Sequence, residues 1–205
     1  MRELIRDQRG GVFTVVLLMV IPLFIAGIML TLEQPRMIHG ADNDLQHAVA
    51  EATRAAAMCV NKTAQANGAL RIDPDRAHET FKRVLAYNLG LSDVTLEPLK
   101  GSGMSSKPSY VLVVYNGDDT YTPGAYEYRF INGAYSEEPL PFDTLPKEFS
   151  IDVDSITYGP GERTVTLDSP GCVAVIRQSI LPVATQNAAE AIRWASAKVV
   201  HKQGG

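Results

Sequence analysis

Apolar and polar positions alternate with three different rhythms along the chain. Gly11–Leu32 reads GVFTVVLLMVIPLFIAGIMLTL and holds no charged side chain; Arg2, Arg6 and Arg9 precede it and Glu33 follows. A helix of roughly 20 apolar residues matches the ~30 Å hydrocarbon layer of a bilayer, so the stretch predicts a transmembrane helix. The run is longer than a signal-peptide core and lacks a small-x-small cleavage site, which favours an uncleaved anchor. Pro22 removes a backbone donor in mid-span, and Gly27 leaves room for another helix to approach. The basic stub 1–10 stays on the cytoplasmic side, so the rest of the chain is expected outside the cytoplasm.

From Ala41 the rhythm is helical and amphipathic. Leu45, Ala48, Val49, Ala52, Ala56, Cys59 and Val60 share one face, opposite Asn43, Gln46, Glu51 and Arg54. Pro35 and Gly40 predict a break before it. A further helix starts with Asp73 as N-cap and Pro74 at its first position and ends at Gly90, with Ala77, Phe81, Val84, Leu85 and Leu89 on its apolar face.

The third rhythm is that of strands. Val94–Leu99, Tyr110–Tyr115, Ala125–Ile131, Phe149–Tyr158, Arg163–Leu167 and Cys172–Val183 are rich in β-branched and aromatic residues. Turn formers such as Asn116-Gly117 and Asn132-Gly133 lie between them. Ser136–Pro146, with three prolines, reads as an irregular loop, and Thr185–Val200 carries Ala188, Ala189, Ile192, Ala195 and Val199 at helical spacing. The predicted class is α+β: a transmembrane helix continuing into an amphipathic helix, then an antiparallel sheet domain over 41–205 closed by a C-terminal helix.

Composition narrows the function. The net charge of −4 supplies no basic field for nucleic acid. The two cysteines, Cys59 and Cys172, permit one disulfide in an oxidising compartment or, equally, two buried thiols. Catalytic patterns are missing: His78-Glu79-Thr80-Phe81-Lys82 has Lys82 where a zinc-protease helix needs its second His. Asn116, Asp118, Asp119, Asp152 and Asp154 would surround a calcium ion only if the fold joined their two loops; as solvated turn residues they need no metal. The aromatics Tyr110, Tyr115, Tyr121, Tyr126, Tyr128, Phe130 and Tyr135 belong either to the core or to a contact surface.

Over about the first 60 residues, the order of basic stub, Arg9-Gly10-Gly11, apolar run with Pro22 and Gly27, and Leu45-Gln46-His47-Ala48 leading into Ala-rich Glu51–Met58 resembles TadE/TadG-like proteins of tight-adherence (Flp) pili, and more broadly type IV pilin-like proteins. A cut pilin-like chain would carry a glutamate five residues after the glycine, where this one has Val15 or Val16. The resemblance implies a structural, non-catalytic subunit or assembly component in an extracellular filament, without cofactor. Val12, Val16, Met19, Pro22, Leu23 and Gly27 are its candidate packing positions, and its partners would be copies of itself, other pilin-like subunits and the inner or cytoplasmic membrane. A single-pass, membrane-anchored extracellular binding module is the alternative.

Overall fold

The computed structural model describes residues 8–118, 124–180 and 189–199; the side chains of 8–14, 30–43 and 189 lie outside that description. Helix α1 (Gln8–Ala57) is continuous through Pro22, Pro35 and Gly40, so the expected break is not observed. At 1.5 Å per residue, its 50 residues extend about 75 Å. Among the described residues, no helix is long and apolar enough to cross a membrane. The expected transmembrane helix is thereby corrected: the apolar run is the first part of one longer helix whose later turns carry Glu33, Arg36, Asp42 and Asp44 and end on the sheet domain.

A short helix α2 (Lys62–Ala66) follows, capped by the Asn61 side chain. Helix α3 (Pro74–Leu89) starts and stops where the sequence places it: the Asp73 carboxylate accepts from the Arg76 backbone, and Gly90 closes the last turn in the left-handed conformation. Ala77, Phe81, Leu85 and Leu89 are buried, as expected of its apolar face.

The strands are β1 (Ser109–Tyr115), β2 (Ala125–Ile131), β3 (Ala134–Pro139), β4 (Lys147–Ile151), β5 (Ile156–Tyr158), β6 (Thr164–Leu167), β7 (Gly171–Ile180) and β8 (Ala189–Lys198). One antiparallel sheet has the order β3-β2-β1-β7-β8, and a smaller one has the order β5-β4-β6. Helices α1 and α3 cover one face of the large sheet, with Tyr110, Leu112, Val114, Cys172, Ala174 and Ile176 turned towards them. The small sheet covers the other face, where Val111, Val113, Tyr115, Val173 and Val175 meet Phe149, Ile151, Ile156 and Leu167. β1 and β7 are therefore buried on both faces, which is why Tyr110–Tyr115 and Cys172–Ile176 read as unbroken apolar runs.

Four further sequence expectations change. The predicted C-terminal helix Thr185–Val200 is, over its described residues, the strand β8, paired with β7 from Ile180↔Ala189 to Gly171↔Lys198; 185–188 and 200 lie outside the described residues. Ala191, Ala195 and Ala197 face α1, while Ile192 and Trp194 face the small sheet, so tertiary pairing overrides the helix preference of alanine. The first four residues of the expected loop Ser136–Pro146 belong to β3, joined to β2 by a turn in which Asn132 and Gly133 both have positive φ, as the tightest hairpins require. Phe149–Tyr158 is not one strand but β4 and β5, turned at Asp152–Ser155 by a 2.9 Å backbone bond. Val94–Leu99 forms no named strand; it is an irregular segment pinned by the isolated bridge Leu91↔Pro98.

Candidate assembly surface

Helix α1 is built from two unlike halves. Its last turns place Leu45, Ala48, Val49, Ala52 and Ala56 on the sheet and against α3, all essentially without solvent contact. These side chains are mostly small, which lets the helix backbone approach β7 and β8 closely. The charged positions stay outside, where Arg54 bonds Glu51 at 2.6 Å. Near the start of the packed part, the Gln46 side chain donates to the Trp194 carbonyl at 3.3 Å.

The stretch Val15–Met29 has no such support. Its large apolar side chains project into solvent on every side of the helix; Leu23 is 73% exposed and Met29 62%. A helix that is apolar all round needs a covering on all faces, and a monomer in water leaves this surface uncompensated. Among the candidate packing positions, Val16, Met19, Pro22 and Leu23 are exposed, and a Cβ added at Gly27 would enter open space. Val12 lies outside the described side chains.

A second uncovered apolar feature lies where α3 meets β1, β2 and β3. A cavity of about 200 Å³ is lined by His78, Val94, Leu96, Tyr110, Phe130 and Tyr135, together with Lys82. Its walls are braced. The His78 ring stacks on Tyr128 at 4.4 Å between centroids, nearly coplanar in orientation, and on Tyr135 at 5.3 Å. His78 Nε2 is 2.9 Å from the Tyr110 hydroxyl, and the Tyr128 hydroxyl donates to Asp75 at 3.1 Å. Burial, reinforced by the nearby Lys82 charge and opposed by Asp75, lowers the His78 pKa to about 4, so the ring is neutral at pH 7. Burial also raises the Tyr110 and Tyr128 hydroxyls above their usual range. The rim is exposed: Val94 at 78% and Tyr135 at 52%.

Tyr110, Tyr115 and Tyr128 are buried, Tyr126 and Phe130 half-buried, and Tyr135 stands at the surface; Tyr121 is outside the described residues. The place of His78 in this cluster was not anticipated, although its spacing from Phe81 and Leu85 puts all three on one side of α3.

Cys59 and Cys172 are free, buried thiols in the same core. Cys59 Sγ lies 3.3 Å from the Thr80 hydroxyl, and burial, with a contribution from Cys59, raises the Cys172 pKa. Among the described residues the acidic loops do not converge. The Asn116 amide is bound to both backbone groups of Ile72, at 2.8 and 3.0 Å, and Asp118 is paired with Arg71. Asp154 is paired with Arg177, and Asp119 is outside the described residues. Among the described residues, no group of three metal-ligating side chains comes together. Comparison with known families, curated proteins and solved structures finds no match to this chain.

Proposed function

We propose that this chain is a structural, non-catalytic subunit, pilin-like or TadE/TadG-like, that packs through the first part of α1 into an extracellular filament or helps to assemble one. The observation that carries this reading is the solvent-exposed, uncharged stretch Val15–Met29 on a helix whose other end is locked into a folded domain. Burying it among equivalent helices removes apolar surface from water at about 25 cal/mol per Å². Such packing needs no catalytic group; it needs side chains of matched shape and a carrier domain that folds without it.

Electron microscopy of the protein from its native cell surface, with mass spectrometry of its N-terminal residue, tests the reading. Filaments built from this chain are the expected result, and an N-terminus at Gly11 or Val12 would add pilin-type processing. Dispersed particles that keep Met1 and never polymerise would overturn the subunit reading and favour a monomeric binding module.

A further inference from the structure

We propose that the outer edge of β8 pairs antiparallel with β8 of a second copy of this chain, joining two large sheets into one; the inference stands apart from packing through the first part of α1. β8 is one outer strand of the large sheet and β3 is the other. They differ as edges. β3 sets Glu137 beside Glu138 and ends at Pro139, the like charges and missing donor that discourage a further strand. β8 runs for ten residues without a proline.

The ladder fixes which backbone groups face outwards. The Val199 N–H donates to the Pro170 carbonyl at 2.8 Å, one step beyond the pair Gly171↔Lys198, so the odd-numbered residues of β8 bond to β7. Glu190, Ile192, Trp194, Ser196 and Lys198 therefore turn their N–H and C=O groups to the outer side, where among the described residues no backbone group meets them. Two of these carbonyls already draw side-chain donors: Trp194 accepts from Gln46 at 3.3 Å and Ile192 from Arg193 at 2.6 Å. A partner strand supplies backbone donors in their place.

Charge selects both the partner and the register. Outward residues must meet outward residues, and in the register centred on Trp194 each Glu190 lies opposite Lys198 of the other copy, with Ile192 opposite Ser196. Residues two apart share a face of the sheet, so these side chains meet on one side of it. Glu190 is exposed and forms no ion pair among the described residues, while Lys198 holds Asp168 at 2.8 Å and still leaves 48% of its side chain exposed. Centring the pair on Arg193 instead would set two like charges against each other. The strand is thus complementary to itself, and about ten backbone bonds would close around a two-fold axis.

The experiment mixes full-length Glu190→Cys and Lys198→Cys proteins in a detergent that covers Val15–Met29, then oxidises the mixture. The native cysteines are buried. Opposed Cα atoms of a hydrogen-bonded pair lie about 5.5 Å apart, within disulfide reach, and the other end of the mixed pair keeps its native Glu190 and Lys198. A 190–198 bridge between copies is expected. Glu190→Cys alone should give none, because its counterpart lies eight residues along the strand, about 27 Å away. Ser196→Pro removes an outward N–H and no bond to β7, so it should abolish the bridge while the domain still unfolds cooperatively in urea. If the proline variant does not fold, the contrast between the mixture and Glu190→Cys alone decides. A mixture without the bridge, or a bridge that survives Ser196→Pro in a folded domain, overturns the strand pairing. Filaments that form without the bridge once detergent is removed leave the filament reading standing, and a bridged dimer that never polymerises overturns that reading alone.

Discussion

The two halves of α1 meet opposite fates. Around Leu45–Ala57 the apolar positions recur every three or four residues and are small, so one stripe lies on the sheet while the other side stays polar. Around Val15–Met29 they occupy every position but Pro22 and Gly27 and are mostly large, so no single face can satisfy them. Periodicity, more than hydrophobicity, decides whether a helix is completed by its own domain or asks for other helices.

That contrast is broken most severely by cutting the packed half. Leu45→Ala removes a fully buried side chain and should destabilise the domain by about 2–5 kcal/mol in urea unfolding. Asn116→Ala comes next. It strips both backbone groups of Ile72 of their partner, and a loss of about 1–3 kcal/mol is expected by the same measurement.

The pH response is gentler and has a fixed sign. An unfolded His78 binds its proton near pH 6.5, the folded one only near 4. Between those values the unfolded state holds more protons, so the His78 contribution is complete above about pH 6.5 and is lost as pH falls towards 4. A His78→Gln variant should flatten the fall in unfolding free energy across that window. Smallest in stability, and largest for assembly, is Leu23→Arg. The domain's unfolding midpoint should stay within about 0.5 kcal/mol of the parent, because the position is already in solvent, while sedimentation should show assembly abolished. A Leu23→Arg protein that unfolds early would show that the exposed half supports the domain after all.

Much of the fold was legible where local chemistry and tertiary demand agree. Asp73, Pro74 and Gly90 punctuate α3, and the runs Tyr110–Tyr115 and Ala125–Ile131 coincide with β1 and β2 almost to the residue. It was illegible where they conflict. Ala189, Ala191, Ala195 and Ala197 favour a helix in isolation, yet the ten-residue ladder to β7 holds them extended. The prolines at 139, 141 and 146 concealed β3, which ends at the first of them on the outer edge of the sheet, where a missing donor costs no ladder bond. Of the candidate site, the apolar stretch was visible as composition, but its cavity was not. His78, Leu96 and Tyr135 lie far apart in sequence and meet only through the packing of α3 on the sheet.

The double burial of β1 and β7 also sets an order in time. Amides from Val111 to Val114 and from Val173 to Val175 are enclosed by a layer on each side, so no local fluctuation brings water to them. They should exchange for deuterium last, at the rate of whole-domain opening, and serve as the clock against which every looser part of the molecule is read.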